Sequence, residues 1–164
     1  MQYLDLGNGQ KAIVDDEDYA IVNQWNWYLG AGYVVRNTPM VNGGKRGHFW
    51  LHRLIMKCPR NKRVDHVNSN TLDNRKANLR ICTSQQNSFN QKVQNRIKTS
   101  RYKGVYRRSK GEWTAWVAQI HYKRKHYYIG AFQTEHLAAL AYDLWAIELF
   151  GEFARTNCSV VLHR

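Results

Sequence analysis

An aspartate and a histidine stand side by side at Asp65 and His66, ahead of a stretch rich in asparagine. Hydrolysis of a phosphodiester needs an activated water, stabilisation of charge on the phosphate and help for the leaving oxygen. Histidine titrates near neutral pH, so His66 could take the proton from that water. Mg²⁺ prefers oxygen ligands and suits a carboxylate combined with an amide oxygen. Asp65 and His66 are therefore candidates for metal-assisted hydrolysis.

The surrounding pattern indicates how these residues would be held. A short apolar segment at residues 51–55 precedes Val64-Asp65-His66, and the polar run after them ends in Asn78-Leu79-Arg80. Asx side chains hydrogen-bond their own backbone in turns. We therefore interpret four side chains of this run as turn residues and not as ligands: Asn68, Asn70, Asp73 and Asn74.

The run from Asp65 to Arg80, followed by Asn87, closely resembles the HNH endonucleases, in the subgroup found in phage-type homing enzymes. Asn78 follows Asp65 by 13 positions, and Asn87 follows Asn78 by 9, which fits that family's layout. The segment Leu51-His52-Arg53-Leu54-Ile55 fits the subgroup as well. The resemblance implies a ββα-metal (His-Me finger) nuclease domain.

The resemblance also implies a role for each matching residue. His66 and Asn78 would be the catalytic residues, with His66 as general base and Asn78 bracing the loop that orients its ring. Asp65 and Asn87 would hold one divalent metal. Asn87 stands where many members have histidine, and an amide oxygen suits Mg²⁺ first and Mn²⁺ second, better than zinc or nickel. Arg53 is a candidate DNA contact, with a packing role equally open.

A second regular pattern begins at Tyr102. Three strands are predicted near residues 105–107, 113–120 and 125–129, followed by a helix capped by Thr134 and closed by Gly151. The wide apolar face expected for that helix comprises Leu137, Ala138, Ala141, Tyr142, Leu144, Trp145 and Leu149. The chain as a whole is therefore predicted to be α+β, with a three-stranded antiparallel sheet packed on one helix after the nuclease domain.

Cations and aromatics alternate along these strands. Because neighbouring strand residues face opposite sides, Trp113, Ala115 and Val117 would face the helix, and the other side would be exposed. Large exposed aromatics and cations indicate a binding surface. The predicted DNA-binding residues of this region are Lys103, Tyr106, Arg107, Arg108, Trp116, Lys123, Arg124, Lys125, His126 and Tyr128.

The same stretch resembles the DNA-binding domain of the plant APETALA and ethylene-response factors. The matching phrases lie at residues 102–105, 113–115, 129–132, 138–143 and 150–157. In that family the sheet enters the major groove of duplex DNA. Several reading positions that are Arg or Trp in the plant factors are Tyr106, Trp116, His126 and Tyr128 here, so the plant target sequence does not transfer.

Composition agrees with a polyanionic partner. The formal net charge is +13, and residues 1–50 hold four Lys/Arg against five Asp/Glu, so the basic excess lies beyond them. No apolar run is long enough to span a membrane. Three widely spaced cysteines form no C-x-x-C pair, which disfavours a disulfide framework or zinc knuckle. We expect a cytoplasmic protein, in the host cell if phage-encoded.

Five segments follow from these patterns: a β-rich support at 1–50, the nuclease core at 51–90, a basic linker at 91–101, the DNA-binding domain at 102–157 and a tail at 158–164. Phage and bacterial homing endonucleases pair the two modules in this order. The predicted function is a sequence-directed endonuclease that nicks double-stranded DNA as a monomer, or cuts both strands as a DNA-templated dimer. A non-catalytic DNA-binding regulator and an RNA-binding module remain alternatives.

Overall fold

The structure, a computed structural model, describes residues 1–38, 47–91 and 99–158. The described residues are mixed α+β, as expected, and the chain divides into two compact units, Met1–Asn87 and Ser88–Arg164. None of the helices in the described ranges is long and apolar enough to cross a bilayer. Residues 92–98 of the predicted linker and 159–164 of the predicted tail lie outside the described residues. The five segment boundaries stay predictions.

The N-terminal unit contains three small antiparallel sheets, with strand orders β1-β2, β3-β4-β5 and β6-β7. Its strands are β1 (Gln2–Asp5), β2 (Lys11–Val14), β3 (Tyr28–Gly30), β4 (Tyr33–Asn37), β5 (His48–Trp50), β6 (Arg63–His66) and β7 (Leu79–Cys82). Its helices are α1 (Asp16–Val22) and α2 (Leu51–Ile55), and α3 (Ser84–Phe89) begins in it.

Alternating apolar residues of β1 and β2 face one core that also receives α1, α2, β4 and the β6-β7 hairpin. Trp27 is buried in this core just before β3, and its indole Nε1 donates to Val22 O at 2.8 Å. Trp25 packs against the same core. The structure adds α1, a helix that the strand-and-turn interpretation of residues 1–50 missed.

Backbone hydrogen bonds join the first hairpin to the loop between β6 and β7. Ile13 N donates to Leu72 O at 2.8 Å, and Asn74 N donates to Ile13 O at 2.8 Å. Lys76 N donates to the Asp15 carboxylate at 2.8 Å. The N-terminal strands therefore hold the loop that follows the Asp-His pair.

The C-terminal unit is a three-stranded antiparallel sheet packed on one helix, as predicted. Strand β8 (Val105–Lys110) pairs with β9 (Trp113–Tyr122), which pairs with β10 (Lys125–Phe132). Helix α4 (Glu135–Phe150) begins after Thr134, whose hydroxyl accepts a hydrogen bond from Leu137 N at 3.2 Å. It ends at Gly151, whose positive φ of 54° suits glycine. Both predicted helix boundaries are confirmed.

The predicted facing is confirmed for β8 and β10 but is wrong for the central strand β9. Trp116, Ala118 and Ile120 belong to the cluster that packs on α4, together with Val105 from β8. Because side chains alternate along a strand, Ala115 and Val117 lie on the opposite face. Alternation alone did not distinguish the faces, since both sides of the central strand carry buried residues.

The predicted apolar face of α4 is confirmed in part, because Ala138, Ala141, Tyr142 and Leu149 pack in this cluster. The residues that the sheet covers are mainly small, namely Ala138, Ala139 and Ala146, beside Tyr142. Leu137 and Leu144 remain 48% and 66% exposed. Small residues bring the helix close to the sheet, and Gly104 shows how close: an added Cβ would lie 2.1 Å from the Tyr142 ring. Leu137 and Leu144 therefore lie on the outer side of the helix.

Candidate functional site

Asp65 and His66 are the last two residues of β6, where they pair with Arg80 and Leu79 of β7. Both side chains are buried. The Arg80 guanidinium donates to Asp65 Oδ2 through Nε at 2.9 Å and Nη2 at 2.7 Å. The Asp65 carboxylate is thus fixed by an ion pair with the neighbouring strand.

The loop between β6 and β7 is closed by Asn78. Its Oδ1 accepts from Asn68 N at 3.0 Å, and its Nδ2 donates to Asp73 O at 2.8 Å. Val67 N also donates to Asn78 O at 2.9 Å. These contacts tie the residue after His66 to the start of β7, and they fit the bracing role predicted for Asn78.

The polar run within the loop makes the turns expected of it. Asn68 Oδ1 accepts from Asn70 N at 2.8 Å, and Asn70 Oδ1 accepts from Leu72 N at 3.1 Å. The Asp73 carboxylate is 2.7 Å from two nitrogens of Arg75. Hydrogen bonding from Arg75 holds the pKa of Asp73 below its usual value, against the effect of burial. Asp73 therefore stays ionised, and its charge is paired with Arg75 within the loop.

Asn74 makes a contact with His66 in addition to the turn that was expected of it. Its side chain is fully buried, and its Oδ1 lies 3.4 Å from His66 Nε2, a long contact. Asn74 Nδ2 donates to Thr71 O at 3.1 Å, which turns the amide oxygen toward the imidazole. An amide oxygen only accepts, so the proton of neutral His66 belongs on Nε2 and the lone pair on Nδ1. The sequence signal was the asparagine itself, eight positions after His66.

Burial lowers the pKa of His66 below the usual histidine value. The Asn74 contact and the charges of Asp65 and Asp73 act in the opposite direction. Burial is the largest of these effects, so the imidazole is neutral at neutral pH. A neutral imidazole is the form that can accept a proton from water.

Two further rings lie against His66. The centroid of His52, on α2, is 5.2 Å from that of His66, and the Tyr33 ring is 6.2 Å away. Burial is the main cause that lowers the pKa of His52 to about 3, and Arg53 and the protonated form of His66 lower it further. Its buried Nδ1 finds no hydrogen-bond partner among the described residues. Tyr33 carried no sequence signal, whereas His52 stood in the segment that resembles the homing subgroup.

A cleft of about 620 Å³ opens on the side of the N-terminal unit where Asn87 lies. It is lined by Tyr33, Trp50, His52, Arg53, Arg60, Asn61, Lys62, Arg63, Val64, Ser84 and Asn87. Arg53 donates to Lys62 O at 2.7 Å and to Pro59 O at 2.8 Å. Its guanidinium thus braces the 58–62 loop, and its predicted DNA contact stays a prediction.

The donor set predicted for a metal is chemically suitable. Asp65 offers a carboxylate, and Asn87, half-buried on α3, offers an amide oxygen. Both are hard oxygen donors of the kind that Mg²⁺ accepts, with water completing the shell. The described residues contain no group of three or more His, Cys, Asp or Glu side chains able to hold a metal. A metal here would therefore depend on Asp65, on the Asn87 amide and on water.

Four of the predicted DNA-binding side chains lie together on the sheet face opposite α4: Tyr106, Arg108, His126 and Tyr128. The turn residues Lys123 and Arg124, and Lys125 after them, are exposed. Sequence reasoning missed Gln119 and His121 on the same face: Gln119 Oε1 lies 2.7 Å from His126 Nε2, and the two histidine rings are 4.7 Å apart.

The remaining predicted contacts are placed differently. Trp116 packs toward α4 and is not on the open face, because the residues of β9 that face α4 are the alternate set to the one predicted. Arg107 is exposed but pairs with Trp116 and so shares its face. Lys103 Nζ donates to Phe89 O at 2.6 Å and Gln91 O at 3.2 Å, and burial lowers the pKa of Lys103 to about 8. Its ammonium is already bound within the protein.

Comparison with known proteins agrees with the geometry of the β6-β7-α3 region. The HNH endonuclease family matches residues 49–89, which include the whole of that region. An uncharacterized HNH endonuclease of Acanthamoeba polyphaga mimivirus is 38% identical over 157 residues, covering 94% of this chain and 78% of the relative. No solved structure matches the chain. The chain therefore belongs to the HNH endonucleases, a family of metal-dependent nucleases.

Proposed function

We propose that this chain is a sequence-directed DNA endonuclease of the homing type, which hydrolyses one phosphodiester bond at His66. The observation that carries the proposal is the His66 ring itself. It is buried at the end of β6, next to Asp65, and Asn74 favours the tautomer whose lone pair is on Nδ1. Burial keeps the ring neutral. A general base needs that protonation state and a fixed direction.

The strands β6 and β7 and the helix α3 would form the ββα-metal unit. His66 takes a proton from the water that attacks phosphorus, and Asn78 holds the loop so that the imidazole keeps its direction. Asp65 and Asn87 would hold a single divalent cation, with Mg²⁺ preferred and Mn²⁺ second. When bound, the cation supplies positive charge for the phosphate and the leaving oxygen.

The C-terminal unit would fix the enzyme on duplex DNA as an APETALA-like reader. Tyr106, Arg108, His126 and Tyr128 present aromatic rings, a cation and a ring nitrogen on one open face. Phosphate contacts set position and a few base contacts choose the sequence. Because the two units are on one chain, binding by one raises the local concentration of DNA at the other.

The single active site proposed at His66 predicts that a monomer nicks one strand. Cleavage of both strands would need two molecules assembled on the DNA. The homing role, a phage origin and a cytoplasmic location stay predictions.

Nicking of supercoiled plasmid carrying a library of sites, in the presence of Mg²⁺, tests the proposal. His66→Ala should lower the nicking rate by at least about 100-fold, because general-base catalysis is lost. His48→Ala is the matched control, since His48 is an exposed histidine of the same unit and should nick like wild type. Equal nicking by His66→Ala would remove His66 from the mechanism. No nicking by wild type would favour the non-catalytic regulator.

A further inference from the structure

The cleft in the N-terminal unit has two walls of different chemistry. One wall is a basic loop that contributes Arg60, Lys62 and Arg63. The other is aromatic, with Tyr33 and Trp50 from the β3-β4-β5 sheet. Of the residues that line the cleft, four are Lys or Arg and none is acidic. The cleft therefore suits a ligand that combines negative charge with a flat ring.

The basic wall is a fixed loop. Arg53 donates to the carbonyls of Lys62 and Pro59, and Lys62 N donates to Pro59 O at 3.1 Å. Arg63 Nε donates to Ser84 Oγ at 2.9 Å. These bonds engage the backbone of the loop and the Nε of Arg63, whereas the Arg60 side chain stays exposed. A fixed backbone that carries several cations at the cleft wall favours phosphate oxygens, since little backbone order is lost on binding.

The aromatic wall is unusually open. Trp50 is 43% exposed at the end of β5, opposite Val35 of β4 in register. Tyr33 is 39% exposed, and its ring lies 5.3 Å from that of His52, which in turn contacts His66. Aromatic side chains bind nucleotides by stacking on the base. The open aromatic wall is thus continuous with the rings around the proposed general base.

We propose that this cleft binds one nucleotide unstacked from the duplex beside the cleaved bond, with its phosphates on the basic loop and its base against Trp50. This inference rests on the proposed nuclease function. Inside a duplex both faces of each base are covered by its neighbours, so Trp50 reaches a base only after a step has opened. The β3-β4-β5 sheet thus holds the DNA in a distorted form, in addition to supporting the nuclease region. DNA that opens easily is the preferred substrate.

The test compares two fluorescently labelled DNA probes of the same sequence, a perfect duplex and a duplex with a short mismatched bubble. Affinity is measured by anisotropy with the metal chelated, so that no cleavage occurs. Wild type should prefer the bubble, and Trp50→Ala should lose about tenfold in affinity for it while binding the perfect duplex as before. Trp50→Tyr keeps a stacking ring and should retain most of the preference.

Phe49→Ala is the matched control. Phe49 is the neighbouring residue of β5, is 45% exposed and does not line the cleft, so its loss should leave the preference unchanged. Arg60→Ala should weaken binding of both probes alike and make the dependence on salt shallower by about one charge. Equal behaviour of Trp50→Ala and Phe49→Ala on both probes would overturn the inference.

Plasmid nicking separates this inference from the proposed function. A Trp50-dependent preference for the bubble, in a protein that nicks no plasmid, would support the nucleotide subsite and contradict the nuclease. Nicking that requires His66, combined with a Trp50→Ala variant unchanged in affinity and rate, would contradict the subsite and leave the nuclease intact.

Discussion

The loop after β6 and the open face of the C-terminal sheet are both rich in polar groups, but they differ in burial. Asp65, His66, Asn74 and Asn78 are all buried and are hydrogen-bonded within the unit. On the sheet face, Tyr128 is 57% exposed. Proton transfer needs a group with one direction and one protonation state, whereas recognition of a long polyanion needs accessible groups. We therefore expect the chemistry in the first region and the recognition of DNA in the second.

The charges follow the same division. In the N-terminal unit, Asp65 is paired with Arg80 and Asp73 with Arg75. On the sheet face, Arg108 and the turn cations Lys123 and Arg124 are exposed. Paired charges in the loop fix geometry, and exposed cations attract phosphate. Substitutions in the N-terminal unit should therefore change stability or the nicking rate, whereas substitutions on the sheet face should change DNA binding.

The largest effect is expected when the buried ion pair between Asp65 and Arg80 is broken, and it is a loss of stability. Arg80→Met leaves the Asp65 carboxylate without its guanidinium, and we expect a loss of about 3 kcal/mol in the free energy of unfolding. Glu17→Gln is the control, because it removes only the exposed pair of Glu17 with Lys76 and leaves the Lys76–Asp18 pair in place, so its loss should not be measurable. Denaturant unfolding measures both. Equal stability of the two variants would mean that the burial of the pair is not what matters.

The next effect separates packing from recognition in the C-terminal unit. Trp116→Ala should destabilise by about 2 kcal/mol, because Trp116 packs toward α4. Arg108→Ala, from the open face, should leave the melting temperature unchanged and weaken binding to duplex DNA by about tenfold. Thermal melts and DNA titrations of both variants check this. A Trp116→Ala protein that melts like wild type but binds DNA poorly would restore the face assigned from the sequence.

The third effect is confined to the loop and concerns two asparagines. Asn74→Ala removes the contact to His66 Nε2, and the nicking rate should fall on the order of 10- to 100-fold through loss of ring orientation. Asn70→Ala removes only an exposed turn contact with Leu72 and should nick nearly as wild type. Rates are compared at saturating DNA, and far-UV circular dichroism checks folding. Similar rates for the two variants would show that Asn74 is a turn residue only.

The C-terminal secondary structure could be predicted because its boundaries are local. Thr134 caps α4 through its own hydroxyl, and Gly151 supplies a positive φ at the end. The orientation of β9 could not be predicted, because Ala115 and Val117 are buried on the face opposite Ala118 and Ile120. Alternation assigns a strand face only when one side is polar.

The prediction of the candidate site from the sequence has a similar limit. The roles predicted for four residues rest on types and spacing that resemble the HNH endonucleases, and they stay predictions: Asp65, His66, Asn78 and Asn87. The Asn74 contact depends on the path of the loop, which Ile13 and Leu72 hold through backbone bonds from a distant strand. Helix α1 was missed because it has only seven residues, although acids fill its first turn. Contacts set by distant backbone leave no local pattern.

The most direct test of the account is the nicking rate of His66→Gly with and without added imidazole. Removing the ring leaves a space beside Asn74 that imidazole can enter. We predict that His66→Gly nicks at a small fraction of the wild-type rate and that imidazole restores part of it, while Asp65→Ala shows no response. Wild-type nicking by His66→Gly without imidazole would contradict the assignment of His66 as the base.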